Sequence, residues 1–509
     1  MSLYVRVNET PPSPGPVRAG RANAIVVGYD DDNDAKFLSL SGPVSGSGLD
    51  SKRVMRISSY AEFESAYNGT ISNTPLAKWI KDYYNEEAGL GADAAFIYVY
   101  RFKTTDSGGT YTDEPAIRAG SLSEWRSEIG PVSTITNVKV SYDGGAPVTQ
   151  DAGGYDEEED DTGLKTGKIT FKATYPRNAA GNYQQVNDEI DIVTMTYTTS
   201  GIADAFKVLR QVDAQFASLA YDHGRMTGSA PAEGIYGGAS LVDDYKELVA
   251  FCNQSSGSGF YRQAICSLPA NAKPGDSGTS YGATNKWQDL RQSDFGQTRN
   301  VMVPSFRQTP TTGDGYRGDF DGAAVLAAMI RKNGVRDDVL GTIPTTAIEA
   351  YESEALQLAF KQARILTIVK ASHLVENSWL NYGYTFGIGV QKWINNVRCR
   401  YQIKHLLEAN LLALILSGVI RYDVNGGYKL QAAITAYMEQ AQLNGWHDGL
   451  VSIEIPIMPY MTKRNKSASD EIVIQTAAES GIWENIAVVY RWGTNTERIE
   501  LSNLGEVNF

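Results

Sequence analysis

A chain of 509 residues with 42% hydrophobic and 21% charged content can bury a large core and is long enough for about two to four domains. The net charge of −13 and a pI near 5.0 exclude a general nucleic-acid binder, which needs a basic face. The most apolar run, residues 405–420, is interrupted by Glu408 and Asn410 and falls short of the ~20 residues that cross a bilayer; it reads as a buried core helix, with no membrane insertion.

In chain order, Leu3, Tyr4, Val5, Arg6 and Val7 alternate as a short strand, and Pro11, Pro12, Pro14 and Pro16 follow at once. Prolines lack a backbone donor and fix φ, so they make a stiff extended spacer and not a hairpin turn. The strand therefore has no partner nearby. Neither the basic nor the apolar stretch of a secretory leader is present here, which predicts a chain made in a cytoplasm. A short apolar strand over 23–30 comes next. The acidic stretch 30–35 spaces its carboxylates as a calcium loop does, but Ala35 stands where the turn glycine belongs, so it reads as a solvated loop. Two helices are predicted over 59–69 and 74–87, the second with Leu76, Trp79, Ile80 and Tyr83 on one face. Residues 92–102 are apolar almost throughout, the pattern of a strand buried on both faces.

From 105 to about 230 the chain turns rich in Thr, Gly and Tyr, with alternating segments over 137–145, 167–176 and 189–200, and reads as an inserted β domain. Its acidic run Asp156–Asp161 repels itself and demands solvent. Residues 163–170 have the flavour of a phosphate loop, yet Gly163 and Gly167 enclose three residues instead of four, and Ile169 replaces the Ser or Thr that binds magnesium. A helix over 202–220 returns the chain. Helix 243–254, strand 261–269, strand 300–306, helix 322–334 ended by Gly334, and strand 363–373 then alternate in the manner of an α/β layer. The last part runs through helices over 393–420 and 429–445 to β-prone stretches at 450–461 and from 486 onward. It closes on the strand-like Arg498, Ile499, Glu500 and Leu501. Both chain ends thus carry an unpaired strand. The fold class is multidomain α/β (α+β).

Catalytic signals are missing. His223, His373, His405 and His447 show no metal-ligand spacing, and no nucleophile elbow, kinase or Cys-x-x-Cys pattern occurs. No cofactor and no metal are expected. Cys252 and Cys266 read as small buried hydrophobes, while Cys399, between Arg398 and Arg400, is the more reactive thiol if exposed.

Several segments, in order, resemble the contractile tail sheath proteins of bacteriophages and related contractile injection systems. They are the opening strand, Pro/Gly linker and first buried strand of residues 4–30; the helix, small-residue turn and aromatic strand of 76–102; "AGNY" at 180–183 before a strand; the helix and proline-ended strand of 248–269; and "KWINNVRCRYQIKHLLEANL" at 392–411. In the last of these, Cys399 displaces one arginine of the family's pattern. The resemblance implies an N-terminal arm (1–22), a sheath core (23–104 with 231–345), an inserted outer β domain (105–230), a C-terminal inner domain (346–494) and a C-terminal arm (495–509). It further implies that both arms complete sheets of neighbouring subunits, which makes a heterologous contact that propagates into a helical, six-fold homo-oligomer.

The expected partners are a tail tube protein and baseplate and tail terminator proteins, in a virion tail assembled in the host cytoplasm. Lys392, Arg398, Arg400, Lys404, Lys463, Arg464 and Lys466 are the candidate tube-facing cations, since clustered positive charge in an acidic chain suits a negative partner. Cys399, with Cys252 and Cys266 as lesser candidates, is a possible intersubunit disulfide. Two other readings stay open: a non-contractile sheath-related terminator or baseplate component, and an enzyme with a site of dispersed carboxylates.

Overall fold

The computed structural model describes residues 23–29, 54–66, 75–84, 96–102, most of 110–221, most of 236–308, 321–332 and most of 348–491. Both expected arm strands, the acidic stretch 30–35, Gly334, His223 and His373 lie outside the described residues.

A seven-stranded sheet organises the core, in the spatial order Ile365–Leu366, Val301–Pro304, Gln263–Ile265, Phe216–Ala220, Ala24–Tyr29, Ile97–Phe102, Val54–Ile57. All neighbours run parallel except the last pair. Successive residues of a strand point to opposite faces. Ala24 and Val26 accordingly join one buried cluster with helices Pro75–Tyr84 and Gly322–Lys332, while Ile25 and Val27 join another with helices Gly201–Leu209 and Leu241–Gly257. Both faces are covered, which is why these strands are apolar at most positions, with Arg56, Arg101, Ser218 and Gln263 as exceptions.

Between Thr110 and Thr198 lie two four-stranded antiparallel sheets. They share one core that includes Trp125, Val138, Ile169, Phe171, Met195 and Tyr197. The stretch that resembles a phosphate loop is here the strand Lys165–Phe171.

The helix expected over 202–220 ends at Leu209, and Phe216–Ala220 is a strand of the large sheet. The reason lies far away in sequence. Arg262, fully buried, donates to the carbonyls of Leu209 (3.2 Å), Arg210 (2.9 Å) and Val212, satisfying acceptors that a helix end leaves open. Pairing of Phe216–Ala220 with Ala24–Tyr29 puts it in the core, although it falls in the sequence expected for the insertion. Likewise the single strand expected over 363–373 is two: Ile365–Leu366 completes the large sheet, and Ile368–Ser372 turns away to pair with Val375–Leu380. Helix Glu354–Ala363, preceded by the cap Ser353, also packs on the large sheet, so part of the stretch expected for the C-terminal domain belongs to the core.

Candidate assembly surfaces

The 23-residue helix Ile394–Leu416 spans about 34 Å and belongs to two cores. Its first half is buried against the large domain. Tyr401 stacks on Tyr261 at 4.8 Å between ring centroids and donates to Asn300, and the Lys404 ammonium lies 4.7 Å from the Tyr261 ring centre. Its second half packs Leu407 and Leu411 against Leu430, Ile434 and Met438 of helix Val424–Leu443. Asp423 caps that helix by accepting from Gly426 N at 2.6 Å. At Gly427 a Cβ would sit 2.1 Å from Met458 Sδ, so a larger residue there requires the Met458 side chain to move.

The apolar run 405–420, expected as a buried core helix, is open along its far half: Leu416 is 61% and Val419 44% exposed. A stripe apolar on every side cannot be covered by one neighbouring helix. Tyr428, Leu443, Ile472 and Val473 extend the exposure to the following helices. Isolated exposed apolar residues are ordinary; this many in one small unit are not.

The same unit holds a two-stranded antiparallel sheet, Gly449–Glu454 with Ala487–Arg491. Among the described residues no third strand joins it. A two-stranded sheet is marginal in water, and a sheet edge is a template on which a further strand can pair. His447 holds its entrance: Gly449 N–H donates to Nδ1 (3.0 Å), leaving Nε2 to donate to the Met438 carbonyl (2.8 Å). That histidine is a structural brace.

The seven candidate cations separate. Arg398 and Lys404, expected on a surface, are buried because they lie on the half of the long helix that faces the core. Lys392 lies 5.0 Å from the Trp393 ring centre, and Arg400 is half-buried. Lys463 is bonded to Asp470 at 2.5 Å, and with the Ser467 contacts it holds that carboxyl down to about 2. Arg464 and Lys466 are exposed. All three cysteines are buried, and none is in a disulfide. Burial pushes Cys252 up to about 12 and Cys266 well above the usual thiol range. Cys399 lies in its own subunit's interior, out of reach of an intersubunit disulfide in this conformation.

No family model and no curated protein sequence matches the chain. A solved structure does: a chain of the anti-feeding prophage baseplate, six-fold symmetrised, matches with a TM-score of 0.50 at 11% identity, covering 99% of this chain and 100% of that one. The chain shares the fold of that baseplate chain. It is also similar to the anti-feeding prophage helical sheath in its contracted state (TM-score 0.47, 12% identity, 99% of each chain). A sheath tail protein from Listeria innocua matches at a TM-score of 0.41 and 12% identity, over 86% of this chain and 90% of the other. At such identities the likeness carries backbone architecture alone. The exposed apolar surface and the open sheet therefore stand on this chain's own geometry. Sequence reasoning missed the exposed apolar surface, although the apolar run 405–420 was the available signal, and reached a sheet left for neighbours to complete only as what the resemblance implies.

Proposed function

We propose that the chain is a structural subunit that polymerises with copies of itself into a helical, six-fold sheath around an inner tail tube. Its contraction would drive the tube through a cell envelope and deliver a genome. The observation that carries this reading is the sheet Gly449–Glu454/Ala487–Arg491, two-stranded among the described residues, in a chain that shares the fold of the anti-feeding prophage baseplate chain. On this reading the strand-like ends, Leu3–Val7 and Arg498–Leu501, extend into neighbouring subunits and complete such sheets, satisfying edge groups and connecting the lattice while subunits rotate. Burial of about 500 Å² more apolar surface per subunit in the shortened lattice would supply at most about 12 kcal/mol each, with no nucleotide hydrolysis. The tube contact falls to the exposed Arg464 and Lys466, beside baseplate and terminator contacts at the two ends of a virion tail assembled in a host cytoplasm.

The matched baseplate chain favours one alternative, a ring-forming baseplate or terminator component. Negative-stain microscopy separates the two. The full chain should form long tubes, and a chain lacking residues 1–18 should remain a folded monomer without tubes. Rings alone would select the alternative, and unfolding on truncation would mean that the arm pairs within its own subunit.

A further inference from the structure

Where the insertion meets the core, a cavity of about 300 Å³ brings together side chains from both. Arg126 and Lys168 come from neighbouring insertion strands, Arg210 from the end of helix Gly201–Leu209, and Asn253 and Gln254 from helix Leu241–Gly257. Glu158 is the carboxylate of the lining. Arg126 and Lys168 stand directly opposite each other in the antiparallel register, an arrangement of like charges that costs stability. Lys168 is offset by Glu124 (3.4 Å) and Glu158 (3.3 Å). Burial pulls the Arg126 guanidinium below the usual arginine range.

The walls are fixed. Arg262 donates to the Arg210 carbonyl at 2.9 Å and so anchors the backbone that presents Arg210. Asn253 Oδ1 accepts from Thr298 Oγ1 and Asn300 Nδ2, each at 2.9 Å, which reserves its amide nitrogen as a donor. Gln254 Nε2 donates to the Thr166 carbonyl at 3.1 Å, stitching core to insertion beside the cavity.

We propose that this cavity binds a small multivalent oxyanion of the phosphate or pyrophosphate class. Arg126, Lys168 and Arg210, from three elements, line one cavity together with the amides of Asn253 and Gln254 and the hydroxyl of Ser127, in a chain whose overall charge is −13. Planar guanidinium groups match tetrahedral oxyanions through paired N–H donors. Bound there, the anion relieves the opposed Arg126 and Lys168 and ties the insertion to the core.

The test is calorimetric titration of the full chain with inorganic phosphate and with pyrophosphate, paired with thermal unfolding, at constant ionic strength set by chloride. Saturable binding at one site per chain and a rise in Tm are expected. Arg126→Gln and Arg210→Gln should each weaken binding on the order of tenfold or more, while Lys172→Gln, outside the cavity, should leave it unchanged. No saturable heat, a Tm rise equal to that from chloride, or equal weakening by Lys172→Gln would overturn the proposal. If Arg126→Gln does not fold by circular dichroism, the half-buried Arg210 decides, and undiminished binding by Arg210→Gln refutes the site.

Discussion

Glu408 sits at the seam between the two cores that the long helix serves. Tyr261 donates to its carboxylate at 2.8 Å, and Lys404, His405 and Tyr401 surround that tyrosine. Burial pushes the carboxyl up to about 7, against the opposing pull of the Tyr261 hydrogen bond and the Lys404 charge. The folded pKa thus lies above the unfolded value of 4.5, so its favourable contribution is full below pH 4.5 and is lost as pH rises through about 7. The shift corresponds to roughly 3 kcal/mol at most. Stability measured by urea unfolding should decline across that window and level off above it, and Glu408→Gln should flatten the decline. An unchanged slope in the variant would assign the pH dependence elsewhere. Asp470 acts with the opposite sign and outside this window. Its carboxyl, held down by Lys463 first and by Ser467, contributes stability above pH 3.8 that is lost as pH falls through about 2.

At the scale of elements, one residue decides where a helix stops. Arg262→Ala would leave the carbonyls of Leu209, Arg210 and Val212 without their charged donor, the first and last of them in buried bonds. A loss of about 2–4 kcal/mol in urea unfolding is expected; a loss under about 1 kcal/mol would mean that the helix end is satisfied without it. This bond explains what the sequence hid. The strand Ala24–Tyr29 and the helix Pro75–Tyr84 are legible because their own residues carry the pattern: apolar at every position in the first, apolar on one face in the second. The break after Leu209 is not legible, since its cause stands some fifty residues on. The switch of sheets between Leu366 and Ile368 is hidden for the same reason, because partner strands choose it. For the candidate surfaces, counting cations selected the exposed Arg464 and Lys466 and the buried Arg398 and Lys404 alike, because only the fold shows which half of the long helix faces the core. The facing pair Arg126 and Lys168 becomes visible only once register is known.

For the whole molecule, the contrast is between two kinds of core. The large domain closes its sheet on both faces, while the C-terminal unit leaves Leu416 and Val419 in water at the turn between its two long helices. An exposed apolar residue costs its own subunit little to lose, because replacing it removes few internal contacts. If that surface serves assembly, the double variant Leu416→Lys with Val419→Lys should unfold within about 0.5 kcal/mol of the parent, yet fail to polymerise, since two ammonium groups would have to be desolvated in the lattice. Sedimentation and negative-stain microscopy of both proteins at equal concentration read this out. Tubes from the double variant, as long and as abundant as those of the parent, would show that this apolar face lies outside the lattice contacts and would leave the open two-stranded sheet as the surface on which assembly depends.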